Sequence, residues 1–275
     1  MVRRTRSQGS LTTNSFPYID DMFRRGAVRV PTSMHLNYRD GGSDQRVGDG
    51  SRRGEMSTLD DVVLSDAMLV DGLRVLDVGC GLGGTLHAIA REYDAMDLIG
   101  LTIDPRQVVR CAELVPPGSS TMHWLCGDAV RLPFTDNSMD RVVSVEAAPH
   151  FLSRTMFLAE ASRVLRPGGR LVGTDMSLAL DPDATLASRN AALSAIRMAS
   201  GTWPDPFARL ASVYAPAQQP GLKLVSFKDI TAETADSYGD PGQPDTPLKA
   251  GIAHLGSMHR AGELRCVRFA FEAVS

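Results

Sequence analysis

A ten-residue stretch, VLDVGCGLGG from Val75 to Gly84, constrains the fold of this chain more than any other feature. Its first half is a short apolar run and its second half is a glycine-rich turn. Residues 85–91 then have the pattern of a helix. Strand, glycine turn and helix together open many nucleotide-binding α/β units, because glycine lets the backbone approach a ligand and the helix start presents N–H groups there. Asp77, at the end of the strand, would add a carboxylate to such a site.

The segments after this stretch alternate between strand-like and helix-like patterns. We predict strands at 73–78, 97–101, 122–125, 141–145 and 170–174. Asp104 and Pro105 mark one helix start as N-cap and first-turn proline. A second helix at 153–165 ends at the Pro-Gly-Gly sequence before the fifth strand. Such alternation with short connections predicts a parallel sheet covered by helices on both faces.

Two regions precede this core, which we take as residues 72–176. Residues 1–15 are rich in Arg, Ser and Thr and have no apolar segment of a secretory signal. We predict a disordered tail, and an organelle transit peptide is the alternative. Residues 16–71 form an N-terminal segment with a short helix at 16–25, which either packs against the core or acts as a lid over a ligand. A polar, glycine-rich stretch at 40–54 predicts a mobile loop, and a helix follows to about residue 70.

Two further regions follow the core. Residues 177–221 are predicted to form a small inserted cap with a helix at 184–198. Residues 222–275 supply strands at 222–230 and 265–273, which complete a doubly wound, mostly parallel seven-stranded sheet. Residues 231–251 are rich in proline and glycine, and we assign no element there.

The composition excludes several classes of protein. A net charge of −3 disfavours a general binder of nucleic acid or anionic membranes, and no apolar run approaches the ~20 residues of a membrane span. The four cysteines lack C-x-x-C spacing and the six histidines lack metal-binding pairs, so we expect no metal and a reducing cytoplasm. We therefore expect a cytoplasmic monomer or homo-oligomer that binds a small molecule.

The glycine turn alone leaves two cofactors open. Gly79, Gly81 and Gly84 fit the pattern G-x-G-x-x-G, and Asp104 follows 20 residues later, which also suits an NAD-dependent oxidoreductase. Four ordered stretches instead resemble the motifs of class I S-adenosylmethionine-dependent methyltransferases. These stretches are 75–83, 100–105, 127–129 and 165–171, and residues 132–140 also resemble that family's approach to strand four.

The resemblance covers about residues 72–176 and implies a Rossmann-like methyltransferase fold. Residues 100–107 and 145–151 are most similar to the branch that methylates small molecules, which includes sugar and aglycone O-methyltransferases, tocopherol-type C-methyltransferases and alkaloid N- and C-methyltransferases. The resemblance implies S-adenosyl-L-methionine as the methyl donor and S-adenosyl-L-homocysteine as the product, and it implies that no metal is needed.

The resemblance also implies which residues contact the cofactor. Asp77 would hold the amino group, and Asp128 and Ala129 would meet the adenine. The remaining contacts would come from Gly79, Gly81, Gly83, Thr102, Ile103, Asp104, Gln107 and Glu146. Thr102 stands where many class I enzymes carry the acid for the ribose hydroxyls, so Thr102, Asp104 and Gln107 are expected to share ribose recognition.

Methyl transfer from a sulfonium is an in-line displacement, for which the protein mainly supplies alignment and a dry site. A hydroxyl acceptor would also need a base. His150 lies just past strand four, where O-methyltransferases of this branch often carry one, and its imidazole is largely neutral near pH 7. Asp175 would orient His150 or bind the acceptor, and Glu146 is either a pocket contact or a base for a carbon acceptor. Acceptor contacts are predicted for Tyr18, Tyr38, His150, Trp203 and Phe207.

The sequence thus predicts methyl transfer to a small specialised metabolite, at a hydroxyl with His150 as base. Methylation of carbon or nitrogen mainly by positioning stays open. Two remoter alternatives are an NAD-dependent oxidoreductase and a cofactor-binding protein without turnover. The other histidines are expected to face solvent or to pack, namely His35, His87, His123, His254 and His259.

Overall fold

The structure is a computed structural model that describes residues 16–24, 35–36, 38, 59–215, 220–235, 237–238 and 243–274. The tail predicted for residues 1–15 and the loop predicted for residues 40–54 lie outside the described residues.

Seven strands form one sheet at the centre of the molecule. They are β1 Arg74–Val78, β2 Asp97–Thr102, β3 Thr121–Cys126, β4 Met139–Ser144, β5 Leu165–Leu178, β6 Leu222–Asp229 and β7 Leu264–Ala273. Their order is β3-β2-β1-β4-β5-β7-β6. Strands β1 to β5 pair in parallel, and β7 pairs antiparallel with both β5 and β6. The predicted doubly wound, mostly parallel seven-stranded sheet is confirmed.

The described helices cover both faces of this sheet. They are α1 Pro17–Arg24, α2 Leu59–Ala67, α3 Gly84–Glu92, α4 Pro105–Cys111, α5 Arg154–Val164, α6 Leu186–Ala199, α7 Leu210–Val213, α8 Thr231–Thr234 and α9 Pro247–Arg260. Successive strand residues point to opposite faces. Val75 therefore joins one hydrophobic core with α2, α3, α6 and α9, whereas its neighbour Leu76 joins the other with α5 and α7.

The strand order reverses between β1 and β4, so the carboxyl ends of these two strands flank a crevice. Ligands of open α/β sheets bind at such a switch point. The segment after β1 is the glycine turn, and the segment after β4 carries Glu146 and a 3₁₀ turn at Ala148–His150. The fold therefore brings two of the stretches that the sequence analysis selected to one edge of the sheet.

Several elements differ from the sequence prediction, among them the four-residue helices α7 and α8, which were not predicted. The differences at β5 and α9 are larger. Strand β5 begins at Leu165 rather than at residue 170, because Leu165 pairs with Met139 and a register shift in β4 accommodates the Pro-Gly-Gly segment. Helix α9 occupies part of the region where no element was predicted. Its N-cap Thr246 accepts a hydrogen bond from Lys249 N, and Pro247 fills the first turn. Helix α9 packs on α6, where a Cβ at Gly251 would lie 2.8 Å from the backbone oxygen of Ala195.

Candidate active site

The glycine turn after β1 has a backbone that only glycine adopts easily. Gly79 and Gly83 have φ angles of 85° and 80°. A Cβ at Gly79 would collide with the Ala147 side chain, and one at Gly83 would lie 2.6 Å from the ring of Trp124. Gly79 N donates to the Leu101 carbonyl at 2.7 Å, which fixes the turn to the end of β2. Gly83 is the N-cap of α3, so the turn leads directly into the N-terminus of that helix.

Asp77 and Glu146 place two buried carboxyl groups at the switch point. Burial raises the pKa of Asp77 to about 7, against the opposing effect of His35. Burial likewise raises the pKa of Glu146 to about 7. Glu146 Oε2 accepts a 2.6 Å hydrogen bond from Leu36 N, and its backbone N donates to Thr174 Oγ1 at 2.9 Å. Its Oε1 is buried and has no hydrogen-bond partner in the described part of the chain.

His35 lies near these carboxyl groups, and no motif in the sequence predicted this position. Its Nδ1 is 3.1 Å from Asp60 Oδ2, and Thr85 Oγ1 donates to Asp60 Oδ1 at 2.7 Å. Burial acts to lower the pKa of His35, but the hydrogen bond to Asp60 and the charges of Asp60, Glu146 and Asp77 raise it overall. Residues 35–36 are thereby attached to α2 through Asp60 and to the end of β4 through Glu146.

The predicted ribose contacts cluster at the end of β2. Thr102 Oγ1 donates to Gln107 Oε1 at 2.6 Å, and both side chains are buried. Asp104 caps α4 by accepting from Arg106 N at 2.9 Å. The Arg106 guanidinium pairs with Asp104 at 2.6 Å and with Asp20 of α1 at 2.7 Å. Helix α1 is therefore tied to this part of the site.

The predicted adenine contacts lie at the end of the neighbouring strand β3. The Asp128 side chain is exposed and accepts from Val130 N at 3.1 Å, whereas Ala129 is buried. Ile103 O accepts a contact from Cys126 Sγ at 3.5 Å, which joins the ends of β2 and β3. The predicted cofactor residues thus follow the carboxyl ends of β1, β2, β3 and β4.

His150 lies in the 3₁₀ turn between two aromatic side chains. Its ring centroid is 5.3 Å from that of Phe16 and 6.3 Å from that of Trp203, each in an edge-to-face arrangement. Burial lowers the pKa of His150 to about 4, and a hydrogen bond to the Thr202 backbone acts in the opposite direction. The ring is therefore neutral at pH 7. Its Nδ1 is buried and has no partner among the described residues.

The contacts of Asp175 differ from those that the sequence suggested. Arg154 Nε and Nη2 donate to the carboxylate at 2.5 and 3.0 Å, Tyr214 OH donates at 2.8 Å, and Met176 N donates at 2.7 Å. Within the described ranges no hydrogen bond joins Asp175 to His150. A direct role in the reaction stays a prediction, and these contacts favour a structural role that joins β5 to α5 and to Tyr214, just after α7.

The charge of Glu146 acts on two buried tyrosine hydroxyls, and only one of these tyrosines was selected from the sequence. The pKa of Tyr18 is raised to about 12 by burial and by the charges of Glu146 and Asp104. The pKa of Tyr238 is raised by burial and then by Glu146. Tyr238 was missed because it lies in the region to which no element was assigned.

Two further predicted acceptor contacts, Tyr38 and Phe207, pack against the hydrophobic core that contains Val75. Tyr38 packs half-buried against one hydrophobic core, and Phe207 lies under the guanidinium of Arg189 at 5.7 Å. Of the predicted acceptor residues, Trp203 contacts the ring of His150, and Tyr18 is influenced by the charge of Glu146.

A cavity of about 330 Å³ lies between α6 and the loop that follows it. It is lined by Leu193, Ile196, Arg197, Thr202, Trp203 and Pro206.

Among the residues that the structure describes, no cluster of three or more His, Cys, Asp or Glu side chains has the arrangement of a metal site. None of the helices described has the length and apolarity required to cross a bilayer.

Comparisons with known proteins give the same family as the motifs. Residues 76–173 match the family model described as "Methyltransferase domain". The chain is 46% identical over 107 residues to a 2-methyl-6-phytyl-1,4-hydroquinone methyltransferase of Synechocystis, an alignment that covers 39% of this chain and 33% of the relative. It is 34% identical over 164 residues to the O-methyltransferase cnsE of Penicillium expansum, which covers 58% and 55% respectively. The chain thus spans a third to about half of the length of these curated relatives.

The fold is also similar to that of solved structures. The mycolic acid cyclopropane synthase CmaA1, in a complex with S-adenosylhomocysteine and CTAB, superposes with a TM-score of 0.71 at 18% identity. The match covers 94% of this chain and 96% of that one. The motifs, the strand order and the family model agree that residues 76–173 are similar to a methyltransferase domain.

Proposed function

We propose that this chain transfers a methyl group from S-adenosylmethionine to a small specialised metabolite. The main supporting observation is the buried carboxyl of Asp77 beside a turn that only glycine fits. The methionyl part of the cofactor carries an ammonium and a sulfonium, and a buried carboxylate is stabilised by such cations. When bound, the cofactor supplies an activated methyl group for in-line displacement.

The other residues at this edge have the donors and acceptors that the remaining parts of the cofactor require. Thr102 and Gln107 would exchange their mutual hydrogen bond for the ribose hydroxyls. Ala129 N and the Asp128 carboxylate would meet the adenine edge. Tyr18 and the first turn of α3 would exclude water from the methionyl part, which keeps the reaction site dry.

The first candidate for the acceptor atom is a hydroxyl oxygen, with His150 as base. His150 is neutral at pH 7, and the unpartnered Nδ1 is an available acceptor. Phe16 and Trp203 hold the ring on both sides, which fixes its orientation. Its low pKa makes it a weak base, so it suits an acidic hydroxyl such as a phenol.

The second candidate is a carbon acceptor, with Glu146 as base. A general base is most effective when its pKa lies near the working pH, and that of Glu146 is about 7. Glu146 also has one carboxyl oxygen without a partner in the described part of the chain. One curated relative is named as a hydroquinone methyltransferase and the other as an O-methyltransferase. These names do not decide between carbon and oxygen as the methylated atom.

The activity is tested with S-adenosylmethionine that carries a labelled methyl group. Phenol, sugar-hydroxyl, amine and indole acceptors are screened, and we expect label in at least one small-molecule product. Calorimetry with S-adenosylmethionine and with NAD tests the cofactor separately. Tight binding of NAD with no binding of S-adenosylmethionine would contradict the proposal.

Two variants then identify the base. With a hydroxyl acceptor, His150→Ala is expected to lower kcat by about 10²- to 10⁴-fold, while Glu146→Gln has a smaller effect. With a carbon acceptor, Glu146→Gln is expected to lower kcat more than His150→Ala does. Glu113→Gln serves as the control, because Glu113 is an exposed residue that pairs with Arg110. A wild-type rate for both His150→Ala and Glu146→Gln would exclude both bases.

A further inference from the structure

The cavity beside α6 has mostly apolar walls. Leu193 and Ile196 line it from the helix, and Pro206 and the Trp203 ring line it from the following loop. Trp203 is 5% exposed. A volume of about 330 Å³ falls at the lower end of the range for small-ligand sites. The cavity therefore suits an apolar group rather than a polar one.

Two side chains that line this cavity have polar groups without a partner among the described residues. Trp203 Nε1 is buried, and its N–H donates to no acceptor in the described part of the chain. A buried N–H group without a partner is rare, because leaving it unpaired costs about 1–3 kcal/mol. Arg197 lines the same cavity, and within the described ranges no ion pair or hydrogen bond involves its guanidinium.

Helix α6 carries a second arginine, Arg189, whose guanidinium is bonded to other parts of the protein. Arg189 donates to the carbonyl oxygens of Ala184 and Pro182, and it also lies over the ring of Phe207. Arg189 is therefore used by the protein itself. Arg197 instead supplies an uncommitted positive charge at the edge of an apolar cavity, and guanidinium groups recognise carboxylate and phosphate through paired N–H donors.

This cavity adjoins the candidate reaction centre through two residues. The ring of Trp203 contacts that of His150 edge-on, and the backbone of Thr202 is hydrogen-bonded to His150. A ligand in the cavity would therefore contact two residues that also contact His150. A long acceptor could place its reacting atom near His150 or Glu146 and its distal end near Arg197.

We propose that this cavity binds the distal end of the acceptor, and that this end is an apolar group terminated by a carboxylate or a phosphate. The Arg197 guanidinium holds the anion through its paired N–H donors. The apolar part packs on Leu193, Ile196 and Pro206. Only the identification of this ligand as the methyl acceptor rests on the proposed function.

The test measures binding of four probes that share one alkyl chain: octanoate, octyl phosphate, octanol and octyltrimethylammonium. The full chain is used with S-adenosylhomocysteine present. The chain has two tryptophans, Trp124 and Trp203, so a Trp124→Phe variant makes Trp203 the reporter of fluorescence. We expect both anionic probes to bind roughly ten-fold more tightly than octanol and the cationic probe to bind most weakly.

Variants on α6 assign this preference to one residue. Arg197→Gln is expected to weaken binding of the anionic probes roughly ten-fold and to leave octanol unchanged. Arg197→Lys should retain most of the preference, and Arg189→Gln is the matched control on the same helix. Whichever anionic probe binds more tightly identifies carboxylate or phosphate as the natural group.

Three results would overturn the proposal: absence of binding of all four probes, equal binding of octanol and the anions, or an unchanged preference in Arg197→Gln. None of these measurements involves methyl transfer. A failure of the cavity proposal is therefore distinguishable from a failure of the proposed activity, which the labelled-methyl assay tests on its own.

Discussion

Asp77 is the residue whose environment says most about the cofactor site. A carboxyl with a pKa of about 7 is mostly protonated at pH 6 and mostly ionised at pH 7.5. Cationic ligands bind the ionised form. We therefore expect affinity for S-adenosylmethionine to rise roughly five- to ten-fold between these pH values, measured by calorimetry. Asp77→Asn should weaken binding and remove most of this dependence, and an equally steep dependence in the variant would assign it to another group.

The burial that raises the pKa of Asp77 also makes the stability of the folded protein depend on pH. The folded state raises the pKa of Asp77 from 3.8 to about 7, so its contribution is fully present below pH 4 and is lost as the pH rises through 7. Glu146 behaves in the same way, and the raised pKa of His35, paired with Asp60, acts in the same direction. In urea unfolding without cofactor, wild type should lose stability relative to Asp77→Asn between pH 5 and pH 8.

Some residues of the candidate site could be predicted from the sequence and others could not. Asp77 and the glycines were predictable because strand, turn and helix are local patterns with fixed spacing. The pair of His35 and Asp60 was not, since these residues are 25 positions apart and neither belongs to a motif. Glu146 was selected, but its positive φ of 54° and its bond to Leu36 N depend on the folded chain.

At the scale of elements, α1 is held to the core by contacts at several points. Phe16, just before the helix, meets His150, and Asp20 pairs with Arg106. The Asp20 pair is partly exposed, so its loss should change stability by less than about 1 kcal/mol. We expect Asp20→Asn to weaken binding of S-adenosylmethionine several-fold while the melting temperature stays nearly constant.

The matched control for this variant lies one residue along the same helix. Asp21 pairs with Arg24 within α1, so Asp21→Asn removes the same charge without touching Arg106. Equal effects of the two substitutions on cofactor affinity would show that net charge, rather than the contact between Asp20 and Arg106, is responsible.

The helices also show why boundaries are harder to predict than the fold. Helix α1 was predicted at 16–25 and spans Pro17–Arg24, because its apolar spacing is a local signal. Helix α9 was missed because two glycines lie in its interior. Gly251 allows α9 to approach the backbone of α6 closely, which is a tertiary reason for a residue that disfavours isolated helices.

At the scale of the whole molecule, a buried ion pair joins distant parts of the chain. Arg154 begins α5, Asp175 lies in β5, and Tyr214 follows α7. Arg154 and Asp175 are 5% and 0% exposed. Removing one member of a buried pair leaves an uncompensated charge, so Arg154→Met should lower the free energy of unfolding by about 3–5 kcal/mol.

Urea unfolding measures this effect, with Arg166→Met as the control. Arg166 forms an exposed pair with Asp140, and its loss is expected to cost less than about 1 kcal/mol. A loss of similar size in both variants would argue against the special contribution of the buried pair. If Asp175 took part in the reaction directly, Asp175→Asn would lower kcat more than its effect on folding explains.

The attachment of residues 35–36 to Asp60 and Glu146 has a consequence for the timing of catalysis. Glu146, the proposed base for a carbon acceptor, also holds Leu36. Arg106 pairs with Asp20 of α1 and with Asp104 after β2. We infer that exchange of spent cofactor breaks these bonds once in every cycle. We expect opening of α1 and residues 35–36, rather than the displacement at the methyl carbon, to limit the steady-state rate. Added viscosity should then slow steady-state turnover and leave unchanged the rate of a single turnover that starts with cofactor and acceptor already bound.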